Sequence, residues 1–151
     1  MDMLDSLIAE SSTEFDIKPR TDMPAGIDGL CIGKTIVINA NRTRVEQAQT
    51  LAEEISHQEI SVGDILNPND IESAKQETIA RRRSFNRLVP LDKLVAAYWQ
   101  STTEFELAEH LDVTVEYLFD VLAYYRERYG MIIIRDNILI NFANGIQIMK
   151  T

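Results

Sequence analysis

The chain is poor in the side chains that carry sulfur and imidazole chemistry. Its 151 residues include one cysteine, Cys31, and two histidines, His57 and His110. A single thiol excludes an internal disulfide framework and a zinc ribbon, and fits a reducing compartment. Basic residues are scarce too: 15 lysines and arginines face 24 aspartates and glutamates, for a formal net charge of −9. A field of that sign repels phosphate backbones and argues against direct nucleic-acid binding. Arg81-Arg82-Arg83 with Arg87 is the one basic cluster that could override it locally. On a helix those residues spread over more than one face, the pattern of a solvated surface. No apolar run approaches the roughly 18 residues of a membrane span. The opening MDMLDSLIAESS carries acids where a secretory leader carries positive charge. The expectation is a cytoplasmic protein without membrane contact.

What is present is an ordinary globular composition, 45% hydrophobic and 26% charged, enough to bury a core. Residues 1 to about 20 read as an amphipathic helical start fading into a loop at Lys18-Pro19-Arg20. A turn-rich stretch, TDMPAGIDG, leads into LCIGKTIVIN, two short β-branched strands hinged at Gly33-Lys34. From Thr43 to about His57, Val45, Ala48, Leu51, Ala52 and Ile55 recur at three- and four-residue spacing, the period of a helix. Asn67-Pro68-Asn69-Asp70 reads as a loop ending in a cap, before a second helix from about Ile71 to Leu88. Pro90 marks a boundary, giving units 1–90 and 91–151. Beyond it the pattern predicts three helices, with Thr102 or Thr103 and Thr114 as N-caps and Gly130 as a C-cap. MIIIR and ILINF, joined at Asp136-Asn137, and a last short strand at GIQIM close the chain. Three helices and a β-hairpin are the layout of a winged helix-turn-helix, so the expected class is α+β.

The chemistry concentrates on the helix at 43–57. Glu53 and His57 are four residues apart and share a helix face, so they could hold one metal ion. Glu54 sits about 100° around, where the general base of an H-E-x-x-H zinc peptidase sits. Here a glutamate, Glu53, replaces the first histidine, and a carboxylate can ligate zinc. Taken alone, E-E-x-x-H also describes an exposed acidic helix face carrying one histidine.

The surroundings add to it. A hairpin bounded by Gly29 and Gly33 precedes L-A-E-E-x-x-H (Leu51 to His57), S-V-G-D (Ser61 to Asp64), K-Q-E-x-x-A-R-R (Lys75 to Arg82) and L-x-P (Leu88 to Pro90). In that order and spacing the run from Gly29 to Pro90 resembles the ImmA/IrrE metallopeptidase family, in the branch found in prophages and mobile elements of Gram-positive bacteria. The likeness extends over about residues 25–145. It implies a zincin-like N-terminal part, with Glu54 as the general base that takes a proton from the attacking water. It implies His57 and Glu77 as metal ligands, Glu77 lying on the following helix. Glu53 occupies the place of the first histidine. Three possibilities stand: Glu53 ligates, Asp64 ligates instead, or metal is weak or absent. A site of two carboxylates and one imidazole suits Zn²⁺ and also Mn²⁺. The substrate implied is a helix-turn-helix repressor of a prophage or mobile element, whose cleavage or inactivation relieves repression. The competing reading is a non-catalytic, metal-free anti-repressor of the same fold.

The remaining residues carry blander expectations. His110 is structural, Cys31 packs in the core, and the aromatic group Tyr98, Trp99, Tyr117, Phe119, Tyr124, Tyr125 and Tyr129 forms the core of the helical part. A DNA-reading helix opens with basic or polar residues, whereas the candidate here opens TVEYLFD. From residue 91 onward five lysines and arginines face nine acids. The second unit is expected to contact protein or to complete the fold.

Overall fold

The structure, a computed structural model, describes residues 1–63 and 70–151, and side chains outside 61–74. The chain divides into two compact units, Met1–Leu88 and Val89–Thr151. Together the described residues form an α+β protein with six helices and two small three-stranded sheets. No helix among them is long and apolar enough to cross a membrane.

The first unit opens with α1 (Met3–Ser11), whose N-cap Asp2 accepts from the Asp5 amide, and which buries Leu4 and Leu7. The chain then forms β1 (Asp16–Arg20), where the residue pattern suggests a loop. β1 is an exposed edge strand, so it has no buried face to impose the alternation that betrays most strands. As an edge strand it also tolerates Pro19, which lacks an amide hydrogen for a ladder. β2 (Gly29–Ile32) and β3 (Thr35–Asn39) form the expected hairpin about Gly33, at φ +61°. β3 is central, parallel to β1 and antiparallel to β2. Ile36 and Ile38 of β3 are buried on the face that meets a long helix, α2 (Arg44–Gly63).

α2 starts with a reciprocal cap. The Glu46 amide donates to Thr43 Oγ1, and Glu46 Oε1 accepts from the Thr43 amide. It packs against α3 (Asp70–Leu88), and small residues of both helices, Ala48, Ala52 and Ser56 on one and Ala80 and Ser84 on the other, are fully buried. Buried hydroxyls are satisfied within their own helices, Ser56 donating to the Ala52 carbonyl and Ser84 to that of Arg81. Small side chains let two helices approach closely, and that closeness brings longer neighbours into contact across the seam.

The second unit comprises α4 (Leu91–Trp99), α5 (Glu104–Leu111) and α6 (Val115–Tyr129), followed by β4 (Ile132–Arg135), β5 (Ile138–Asn141) and β6 (Gln147–Lys150) in an antiparallel sheet of that order. Thr103 and Thr114 cap α5 and α6 by accepting from the amides of Glu106 and Tyr117. Gly130, at φ +85°, ends α6. Asp136, at φ 53°, turns β4 into β5.

The core holds Leu94, Leu107, Leu111, Leu118, Val121, Tyr125, Ile140 and Phe142. Tyr125 donates its hydroxyl proton to the Val89 carbonyl at 2.7 Å. The expectation for the aromatics needs correcting in part. Tyr117 and Tyr125 are core residues, but Trp99 and Phe119 are 48% and 46% exposed. Helical spacing places residues on a face; whether that face is covered depends on the neighbouring elements.

Candidate metal centre

Four residues on two helices meet at the α2–α3 seam. Glu53 and His57 lie one turn apart on α2, and Glu77 and Arg81 one turn apart on α3. Because the helices are close and antiparallel, the rows meet pairwise. His57 Nε2 and Glu77 Oε1 are 2.8 Å apart, and Arg81 Nη1 and Glu53 Oε2 are 3.4 Å apart. The first pair unites two residues twenty positions apart that the family resemblance singles out. In the second, Glu53 faces a guanidinium. Glu53 and His57 are about one-third exposed, at 30% and 29%, whereas Glu77 stands 59% exposed at the rim.

Glu54 lies about 100° round α2 from Glu53, on the flank that faces the sheet, and stays within electrostatic reach of His57, Glu53 and Glu77. In the β2–β3 register Gly29 pairs with Ile38 and Cys31 with Ile36, so both share the face turned to α2. A methyl group at Gly29 would come within 2.7 Å of Thr50 Cγ2 and 3.4 Å of Glu54 Cγ. Glycine therefore lets β2 pass beside the Glu54 stem. Cys31, the next residue on that face of the strand, lies within electrostatic reach of Glu54 and Gln58. It is half-buried, not a core residue, because β2 is a short edge strand with little covering it. Its thiol also approaches the Gly33 carbonyl at 3.5 Å.

The electrostatics of the cluster follow from partial burial of like charges. Burial raises the Glu54 carboxyl above its ordinary 4.5, and the Glu53 and Glu77 charges add to this against the pull of His57. Burial raises Glu53 as well, with Arg81 opposing and Glu77 adding. For His57, burial works against the imidazolium, but a backbone hydrogen bond and Glu77 outweigh it, so its pKa lies above 6.5. Burial and the Glu54 charge push the Cys31 thiol up. Three carboxylates thus lie within electrostatic reach of one imidazole, in partly desolvated surroundings.

In kind, this donor set fits a borderline divalent ion: one imidazole and up to three carboxylates. In arrangement it is incomplete. Among the described residues no three His, Cys, Asp or Glu side chains already stand together as a metal-holding group. His57 and Glu77 meet, Glu53 is turned to Arg81, and Asp64 lies outside the described residues. A cavity of about 490 Å³, lined by Glu14, Phe15, Gly33, Lys34, Gln58 and Glu59, opens at the hairpin-turn end of α2. It contains none of the four residues.

Sequence reasoning missed Arg81, which it grouped with a solvated basic run. Its i+4 spacing from Glu77 was the signal that could have found it. Two members of the run have carboxylate partners, Arg81 bonding Glu53 and Arg87 bonding Glu59, while Arg82 and Arg83 are exposed as expected. His110 is remote in role, its Nε2 lying 3.1 Å from the Gln100 carbonyl within the second unit.

Comparison with curated proteins and with solved structures returned no match. A family model, Peptidase M78 with the description IrrE N-terminal-like domain, matches residues 6–132, a span that includes every residue of the cluster. The chain belongs to the ImmA/IrrE family.

Proposed function

We propose that the chain is a metal-dependent endopeptidase, as membership of this peptidase family implies, and that the α2–α3 seam is its active site. The observation that carries this reading is the 2.8 Å approach of His57 to Glu77 beside a partly buried Glu54. His57 and Glu77 would hold the ion, with Glu53 or Asp64 completing the set, and Zn²⁺ or Mn²⁺ suits those donors. Such an ion, when bound, supplies Lewis acidity for activating water and polarising the scissile carbonyl. The chain's own residues do the rest. Glu54 takes the proton of the attacking water at its carboxylate and delivers it to the leaving amine. Partial burial favours that role, since a carboxylate raised above its ordinary value is a stronger base. Gly29 lets β2 pass close beside the stem of this carboxylate, with Cys31 within electrostatic reach of it.

The substrate we propose is a helix-turn-helix repressor of a prophage or mobile element, cut or disarmed in the cytoplasm to relieve repression. In this reading residues 1–90 form a zincin-like peptidase part and 91–151 a winged-helix-like part. The acidic balance of the second unit, nine acids against five basic residues from 91 onward, supports a protein contact over a DNA contact.

One observation favours a second reading. Glu53, at the place of the first histidine, pairs with Arg81, which fits a metal-free anti-repressor that binds the same partner without cutting it.

Elemental mass spectrometry of wild type and His57→Ala, beside repressor cleavage by Glu54→Gln, separates the two. The peptidase predicts about one equivalent of metal, lost in His57→Ala, and cleavage abolished in Glu54→Gln. Repressor binding with neither metal nor cleavage would establish the anti-repressor.

A further inference from the structure

We infer that Arg81 is a built-in counter-cation for Glu53 that competes with the metal ion for this carboxylate. The inference rests on the metal-binding reading above and deepens it.

The pairing across the seam is crossed in charge. α2 presents Glu53 and His57, and α3 presents Arg81 and Glu77, so each carboxylate of the two rows meets a cationic or protonatable partner. A neutral histidine at position 53 would need no such partner. A carboxylate there, about one-third exposed and one helical turn from His57, gains from a counter-charge in the metal-free chain. Arg81 supplies it from a held position: its guanidinium lies 5.4 Å from the centre of the Phe85 ring, itself 5% exposed. Arg81 thus serves the metal-free protein, in which its charge takes a place that a divalent ion serves when Glu53 ligates.

Two consequences follow when an ion settles between His57 and Glu77. It meets the positive charge of Arg81 nearby, which opposes it. It also gains Glu53 as a ligand only after the Glu53–Arg81 contact opens. Both effects weaken metal binding. Arg81 is therefore a positioning residue that sets how much free metal the site needs, and removing it tightens binding.

The test is a four-variant cycle with Zn²⁺ as the probe. Zinc affinity is measured by competition with a chelating indicator for wild type, Arg81→Gln, Glu53→Gln and the double variant. Thermal melts in excess chelator accompany the titrations. We expect Arg81→Gln to bind zinc on the order of tenfold more tightly than wild type. It should melt lower than wild type without metal, because Glu53 has lost its partner. In the Glu53→Gln background, replacing Arg81 should give a much smaller gain. Arg81→Met, which keeps an apolar stem on Phe85, should repeat the gain if Arg81→Gln folds poorly. Equal or weaker zinc binding by the Arg81 variants, or the same gain with and without Glu53, overturns the inference while leaving the metal site standing. Zinc binding by none of the four proteins overturns both this inference and the metal-binding reading.

Discussion

His57 Nε2 stands 2.8 Å from Glu77 Oε1, so two residues twenty positions apart share one small site at a helix–helix seam. The contact exists because α2 and α3 pack against each other, with the small residues Ala52, Ser56, Ala80 and Ser84 fully buried. If those two side chains hold the ion, removing the rim carboxylate should cost metal affinity and little stability, since Glu77 is 59% exposed. Glu77→Gln is expected to lose at least about tenfold in zinc affinity while melting close to wild type in chelator. Unchanged zinc affinity would remove Glu77 from the ligand set.

Cys31 reports on Glu54 independently of any metal. Burial first, and the Glu54 charge second, hold its thiol above the ordinary range. The thiolate is the reactive form, so alkylation should be slow at neutral pH. In excess chelator, Glu54→Gln removes the repelling charge and should speed alkylation of Cys31 by iodoacetamide roughly two- to fivefold. Intact-mass spectrometry over time reads this directly. Identical rates in both proteins would separate the thiol from the candidate base.

Gly29 is required for space. An added methyl group would lie 2.7 Å from Thr50 Cγ2, and relieving such a clash by moving β2 or α2 costs about 1–3 kcal/mol. Gly29→Ala is expected to lose that much in urea unfolding. Adding Thr50→Ser, which removes the opposing methyl, should recover part of it. A fully stable Gly29→Ala would mean that β2 does not run so close to α2.

Arg44 ties the two N-terminal helices by bonding Asp2 at 2.6 Å and Asp5 at 2.8 Å. The hydrogen bond from Arg44, then that from the Asp5 amide, hold the Asp2 carboxyl well below its ordinary 3.8. A carboxylate with a depressed folded pKa adds stability that is present above the unfolded pKa and lost as pH falls through the folded one. The melting-temperature gap between wild type and Arg44→Ala should therefore stay constant above about pH 5. It should shrink below 3.8. It should also narrow at high salt, because the pair is exposed. A gap unaffected by acid would assign the contact no electrostatic role.

Local chemistry determined most of the elements here. The three- and four-residue spacing from Val45 to Ile55 specified α2, the hydroxyls of Thr103 and Thr114 placed the starts of α5 and α6, and Gly33 and Asp136 sit at the turns of the two hairpins. Those signals are readable because each depends on residues within one turn of each other. The family resemblance carried by the motifs from Leu51 to Pro90 implied Glu53, Glu54, His57 and Glu77 as a set. What tertiary structure alone decided depends on long-range contact. Asp16–Arg20 became a strand because β3 offered a parallel edge, although its own residues carry no buried alternation. Trp99 and Phe119 stayed exposed because no element within their unit seals them. Cys31 came to lie beside Glu54 because a hairpin folded onto a helix. Arg81 left its basic run to pair with Glu53, since side-chain partners across a seam follow from how two helices pack, which no single segment encodes.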